Sequence, residues 1–140
     1  MEQVEREYTP DAAIMGIHLL VGRLGRAAAV RAQREKLMIL FENLIFNAIS
    51  FTPRSGSITV TPRLEDGCVV IEVADTGSGI APEHLPHVFE QFYTARENKN
   101  EGSGLGLYIC KLTVEELGGT VCAQSFIGEG TTMMIRIPLP

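Results

Sequence analysis

Two asparagines four residues apart, Asn43 and Asn47, are the side chains in this sequence best placed to do chemistry. Positions i and i+4 lie on one face of a helix, and Ser50 extends the same stripe. The surrounding segment, residues 37–51, is otherwise almost entirely apolar, which predicts a buried helix. An unpaired amide is costly to bury, so each asparagine must either cap a neighbouring strand or loop or bind a ligand.

Two glycine-rich segments could complete a ligand site with these asparagines. Residues 75–79 (DTGSG) follow a predicted strand, and a carboxylate at a strand end can accept a hydrogen bond from an exocyclic amine. The glycines would let the backbone lie flat beside a planar ring, although a plain turn also explains this segment. Residues 102–107 (GSGLGL) open a predicted helix, where backbone N–H groups favour an anion such as phosphate. Neither the P-loop nor the dinucleotide-binding pattern is present.

The bulk composition describes a single soluble domain. The chain has 140 residues, of which 45% are hydrophobic and 21% are charged, and its net charge of −5 argues against a nucleic-acid partner. Its apolar stretches are too short to cross a membrane, and its acidic start lacks the apolar core of a signal peptide. We therefore expect a cytoplasmic domain without direct membrane contact, whether or not its parent protein is membrane-anchored. The three cysteines are widely spaced and indicate neither a disulfide framework nor a zinc site.

Hydrophobic periodicity and turn residues predict the elements that must position these residues. Residues 1–9 are expected to be loose, with a short helix from Thr9 to Met15. The predicted helices cover 35–51, 105–117 and a short stretch within 82–92. The predicted strands cover 17–24, 27–32 (where a helix is the alternative), 57–63, 68–74, 120–126 and 131–139, and residues 65–67 predict a hairpin turn between the strands 57–63 and 68–74. Strands and helices do not alternate strictly. The predicted fold class is therefore α/β (α+β), a two-layer sandwich of a mostly antiparallel mixed sheet with helices on one face.

Five motifs occur in an order that is far more specific than any one of them. They are Asn43–Pro53 (NLIFNAISFTP), Asp75–Ile80 (DTGSGI), Phe89–Tyr93 (FEQFY), Gly102–Leu107 (GSGLGL) and Gly128–Thr132 (GEGTT). With them the chain resembles the ATP-binding catalytic domain of bacterial sensor histidine kinases, in the superfamily that includes gyrase, a heat-shock chaperone and mismatch-repair ATPases. The resemblance implies a Bergerat-type ATP fold over residues 17–140, with residues 1–16 as a poorly defined N-terminal remnant.

The resemblance also implies a role for each motif residue, with ATP and Mg²⁺ as cofactors. Asn47 resembles the Mg²⁺ ligand, Asn43 stands beside it as the second catalytic residue, and Asp75 resembles the reader of the adenine amine. The remaining nucleotide-binding positions implied are Phe51, Gly77, Gly79, Ile80, Gly102, Gly104, Leu105, Gly106, Leu107, Thr131 and Thr132. Phe89 and Phe92 resemble the hydrophobic box before the ATP lid, which would cover residues 93–101.

Asn43 also indicates which reaction to expect. Hydrolytic members of the superfamily carry a glutamate at this position, where it activates water, and Glu42 is one residue away and faces elsewhere. Because a general base must reach the proton it removes, we expect phosphoryl transfer rather than hydrolysis. The resemblance implies a histidine on a separate dimerisation domain as the acceptor, and the receiver domain of a response regulator as a further partner.

Some features depart from the histidine kinase pattern. Ser50 stands where these kinases usually carry a lysine or arginine, a role that Arg54, Arg96 or Lys99 could take. No phospho-acceptor histidine motif is present, so we expect a piece of a larger kinase that is inactive as an autokinase in isolation. Two alternatives stay open: a docking module with a degenerate nucleotide pocket, and a related serine kinase of the anti-sigma type.

Overall fold

A computed structural model describes residues 1–23, 34–93 and 105–139. Within these ranges the elements are α1 (Glu2–Ile14), β1 (His18–Val21), α2 (Arg34–Phe51), β2 (Ser57–Glu65), β3 (Cys68–Asp75), a 3₁₀ turn (Leu85–His87), α3 (Gly106–Glu116), β4 (Thr120–Phe126) and β5 (Gly130–Pro138). In this part of the chain, no helix is long and apolar enough to cross a membrane.

The strands form one mixed sheet in the order β1-β2-β3-β5-β4. β1 runs parallel to β2, and the other neighbouring pairs are antiparallel. Asp66 and Gly67 join β2 to β3 with φ values of 50° and 72°, as a two-residue type I′ turn requires. This arrangement confirms the predicted two-layer fold, the predicted hairpin and the predicted long helices.

The core lies between the sheet and helices α2 and α3. Leu40, Leu44 and Ile45 of α2 are fully buried, as are Ile58 and Ile135 of the sheet. Asn43 and Asn47 are only half-buried, because they lie at the border of the apolar face of α2 rather than within it. The border position leaves both amides available at the surface of the domain.

The expectation for the N-terminal residues is wrong. Helix α1 begins at Glu2 rather than near Thr9, and Pro10 lies inside it. Val4, Tyr8 and Ala12, spaced by four, are all buried, and the Tyr8 ring meets Phe46 of α2 edge-on at 6.2 Å between centroids. Burial of this face offsets the hydrogen bond that Pro10 cannot donate. The proposed domain boundary after residue 16 stays a prediction, although α1 packs against β1 and α2.

Two smaller predictions also differ from the structure. The strand predicted over residues 17–24 is limited to His18–Val21 within the described residues, and the strand predicted over 27–32 lies outside them. The short helix predicted within 82–92 is a single 3₁₀ turn, Leu85–His87, whose residues are not fully buried. Neither difference alters the sheet described above.

Candidate functional site

Asp75 ends β3 as a buried carboxylate, with 9% of its surface exposed. Its Oδ1 accepts hydrogen bonds from the backbone N–H groups of Gly77 at 2.8 Å and Thr131 at 3.2 Å. Burial raises the pKa of Asp75 above its ordinary value, and the two backbone hydrogen bonds oppose that rise. The protein therefore holds this carboxylate in one orientation through one of its two oxygens.

The glycines that follow Asp75 are required by protein packing. A Cβ on Gly77 would overlap the carbonyl oxygen of Phe51 and lie 2.8 Å from Asp75 Oδ1. Gly79 has a φ of 77°, and a Cβ there would lie 2.7 Å from the carbonyl carbon of Phe126. Ser78 N–H also donates to Phe51 O at 3.3 Å. The loop is thus held between the end of α2 and the β4–β5 turn, a reason for glycine that the sequence analysis did not foresee.

The two candidate threonines differ in their environment. Thr131 is buried and bonds Asp75 through its N–H group, whereas Thr132 pairs with Ala74 and points to the opposite face of the sheet. Of the two, Thr131 is therefore the one that contacts Asp75. Ile80 is also buried and belongs to the core cluster.

The side chain of Asn43, a residue of α2, lies against the beginning of α3. Its Nδ2 donates to Ile39 O at 2.8 Å, and its Oδ1 lies 3.3 Å from where a Cβ on Gly106 would be. Leu105, the residue before the first helical position, has no side-chain oxygen with which to cap the helix. The N–H groups of a first turn point out of the helix start, so this end of α3 is suited to an anion beside Asn43.

Helix α2 connects this position to the Asp75 loop. Asn43, Asn47 and Phe51 follow one another at intervals of four residues along α2. Eight residues of helix rise about 12 Å, with Asn47 about half-way. One side of α2 therefore presents Asn43 at one end and Phe51 at the other end of a site long enough for a nucleotide, with Asn47 between them.

Of the residues that bear on the missing lysine or arginine at position 50, the structure describes Ser50 and Arg54. Ser50 Oγ donates to Phe46 O at 2.8 Å within its own helix. The stem of Arg54 lies against Gly16, where an added Cβ would be 2.7 Å from Arg54 Cγ. Other residues named for this site lie outside the described ranges: Arg96, Lys99, Gly102 and Gly104.

Phe89 is half-buried against the core, whereas Phe92 is 67% exposed with a φ of 63°.

Sequence reasoning missed one residue of the Asp75 cluster, Ser125. Its hydroxyl accepts a hydrogen bond from Ile80 N–H at 2.7 Å and lies 2.8 Å from Thr131 Oγ1. The alternation along β4 would have pointed to it, because Val121, Ala123 and Ser125 share the less exposed face and only Ser125 is polar.

Comparison with known proteins assigns the fold. Residues 32–140 match the family described as histidine kinase-, DNA gyrase B-, and HSP90-like ATPase. The chain belongs to this family. The sensor protein SrrB of Staphylococcus aureus is 44% identical over 101 residues, which are 70% of this chain and 17% of SrrB. The chain therefore spans about a sixth of that relative.

Two solved structures have closely similar folds. Full-length ShkA in complex with AMPPNP is 29% identical with a TM-score of 0.86, covering 99% of this chain and 29% of ShkA. The catalytic domain of the histidine kinase ThkA is 26% identical with a TM-score of 0.85, covering 99% of this chain and 89% of that domain. Together with the family match, these likenesses confirm the predicted kind of domain, an ATP-binding catalytic domain of the sensor histidine kinase type.

Proposed function

We propose that this domain binds Mg-ATP along α2 and transfers the γ-phosphoryl group to a histidine on a separate dimerisation domain of its parent protein. The observation that carries the proposal is the placement of α2, which brings Phe51 to the Asp75 loop and Asn43 to the start of α3. A nucleotide lying along this helix would have its base at one end and its phosphates at the other.

At the base end, Asp75 would read adenine. Both hydrogen bonds to the carboxylate from described residues reach Oδ1, so Oδ2 would accept one from the exocyclic amine. Thr131 would hold the carboxylate from β5. Ile80 is buried in the core and Phe51 is half-buried at the end of α2, so they would form the apolar floor beneath the ring.

At the phosphate end, the available donors suit Mg²⁺. Among the described residues no group of three His, Cys, Asp or Glu side chains could hold a metal ion, so a metal here would need amide, phosphate and water oxygens. These are oxygen ligands of the kind that Mg²⁺ prefers, and Asn47 would supply the amide oxygen. Bound Mg²⁺ would neutralise charge on the phosphate oxygens. Gly106 and Leu107 would offer backbone N–H groups from the first turn of α3, and Leu105 lies immediately before that turn.

Asn43 favours transfer over hydrolysis. A carboxamide does not take up a proton near neutral pH, so Asn43 cannot act as a general base toward water. Held by its bond to Ile39 O, it would instead fix the geometry beside the phosphates. Catalysis would then depend on positioning and charge stabilisation, which is what phosphoryl transfer mainly requires.

The acceptor would come from elsewhere in the parent protein. His84 immediately precedes the 3₁₀ turn and His87 ends it, with His87 Nδ1 2.8 Å from Glu90 Oε1. His18 is an exposed residue of β1. None of the three lies in an acceptor motif, so the domain would not phosphorylate itself. The dimerisation domain would be the first partner and a response regulator receiver domain the second. Use of ATP would place the domain in the cytoplasm.

Isothermal titration with the non-hydrolysable analogue AMPPNP, with and without Mg²⁺, tests the binding step. We expect Mg²⁺-dependent binding that weakens about 10- to 100-fold in Asp75→Asn and in Asn47→Ala, because each variant loses a contact to a charged or metal-bound group. Gln124→Ala, an exposed position on β4, is the matched control. AMPPNP affinity that stays at the wild-type value in both Asp75→Asn and Asn47→Ala would refute this site.

The transfer step is tested by adding the parent's dimerisation domain in trans with radiolabelled ATP. Acid-labile label on its histidine supports the proposal. Binding without transfer, or no binding, would favour the docking module, for which Ser50 in place of a cation is the supporting feature. Acid-stable label on a serine of an added anti-sigma antagonist would favour the serine kinase instead.

A further inference from the structure

The hydroxyl group of Ser125 makes three hydrogen bonds, the full number available to it. It accepts from Ile80 N–H at 2.7 Å, donates to Gly130 O at 3.0 Å, and lies 2.8 Å from Thr131 Oγ1. A serine hydroxyl has one donor and two acceptor sites. With its proton on Gly130 O, it must therefore accept from both Ile80 and Thr131.

Each of these bonds leads to Asp75 by a different route. Thr131, the register partner of Ser125, donates its N–H to Asp75 Oδ1 at 3.2 Å. Ile80 closes the glycine loop that begins at Asp75. Gly130 packs closely against the backbone of Asp75, because a Cβ on Gly130 would lie only 2.9 Å from the Asp75 carbonyl carbon. One hydroxyl of β4 thus joins the glycine loop to the start of β5, the two segments that contact Asp75.

We propose that Ser125 is a positioning residue that sets the selectivity of this domain for a 6-amino purine. The proposal rests on the proposed function, in which Asp75 reads the adenine amine. Ser125 acts through Thr131 and the loop and keeps Asp75 Oδ2 aligned with that amine. Loss of the hydroxyl would loosen the carboxylate and weaken the contact to the amine, while stacking and phosphate contacts would stay.

A packing role for Ser125 makes a different prediction. If the hydroxyl only stabilised the β4–β5 turn, its loss would weaken every nucleotide equally. A positioning role predicts a loss confined to purines with an exocyclic 6-amino group. ADP and inosine diphosphate separate the two roles, because hypoxanthine carries a carbonyl where adenine carries the amine.

The test is isothermal titration of Mg-ADP and Mg-inosine diphosphate against wild type, Ser125→Ala, Ser125→Thr and the control Gln124→Ala. We expect Ser125→Ala to weaken ADP about tenfold, the equivalent of one well-made hydrogen bond, and inosine diphosphate by less than about twofold. Ser125→Thr, which keeps the hydroxyl, should restore ADP affinity, and Gln124→Ala should match wild type. In the nucleotide-free protein, amide exchange of Ile80 should accelerate in Ser125→Ala only.

The outcomes separate this inference from the proposed function. Equal weakening of both nucleotides, or unchanged affinity for both whatever the Ile80 exchange rate, would overturn the positioning role while leaving ATP binding intact. A wild-type protein that binds neither nucleotide would overturn the proposed function, and the role of Ser125 with it. Selective loss of ADP with rescue by threonine would establish the role.

Discussion

Gly79 and Gly128 form a natural matched pair for testing how the Asp75 loop is held. Their φ values are 77° and 82°, so alanine would be strained by the backbone to the same degree at either position. They differ in the space around them. A Cβ on Gly128 would meet nothing within 4 Å, whereas a Cβ on Gly79 would overlap Phe126 O and lie 2.8 Å from Ile127 Cα.

The difference in space sets the expected magnitudes. A left-handed backbone conformation costs an alanine about 1–2 kcal/mol of folding free energy, and this term applies to both variants. At Gly79 the obstructing atoms belong to the backbone and cannot rotate away, which adds about 1–3 kcal/mol. We therefore expect the free energy of unfolding to fall by about 2–5 kcal/mol in Gly79→Ala and by about 1–2 kcal/mol in Gly128→Ala.

Urea denaturation of both variants under identical conditions, with linear extrapolation, measures the two losses. AMPPNP affinity should fall in Gly79→Ala, because the displaced loop carries Asp75 with it, and should stay within about twofold in Gly128→Ala. Equal destabilisation of the two variants would refute the packing argument, since only backbone strain would then be at work. Gly79→Ala with lowered stability but intact affinity would show that the loop does not position Asp75.

Three further outcomes are expected. The free energy of unfolding of Asp75→Asn, measured relative to wild type, should increase as pH rises from about 4 to 7. Burial raises the pKa of Asp75, so the protonated carboxyl stabilises the fold and this contribution is lost in wild type as pH rises through the folded pKa. Urea denaturation across this range would show no such trend if the carboxylate were stabilising. Cys122, which is exposed, should react with a thiol reagent in the folded protein. Burial raises the pKa of Cys110 to about 12 and should delay its labelling until the protein unfolds. Equal labelling rates of the two thiols under native conditions would contradict this expectation. Ala12→Glu should lower the free energy of unfolding by more than about 3 kcal/mol because it buries a charge, whereas Ala13→Glu at the exposed neighbouring position should lower it by less than about 1 kcal/mol. Urea denaturation measures both values, and equal losses would argue against the packing of α1.

Local patterns were sufficient for much of the fold. The apolar run around Asn43 predicted α2 to within a residue, and the turn residues at 65–67 predicted the β2–β3 hairpin. These elements depend on interactions between residues near in sequence, which a pattern can report. Helix α1 was missed because Thr9 and Pro10 carry a strong local start signal, and the burial of Val4 that overrides it depends on distant partners.

By itself, the order of the motifs determined the family, the kind of domain and the residue types of the candidate site. Only the tertiary structure decided which of them meet. It distinguished Thr131 from Thr132, placed Asn43 against Gly106, and revealed Ser125 as the hydroxyl that joins the glycine loop to the start of β5 beside Asp75. The physical reason is that hydrogen bonds and close packing require partners at set distances, and those partners lie tens of residues apart in the chain. Residue types can state which chemistry is available, but the pairing of sheet strands and the packing of helices determine where that chemistry is assembled.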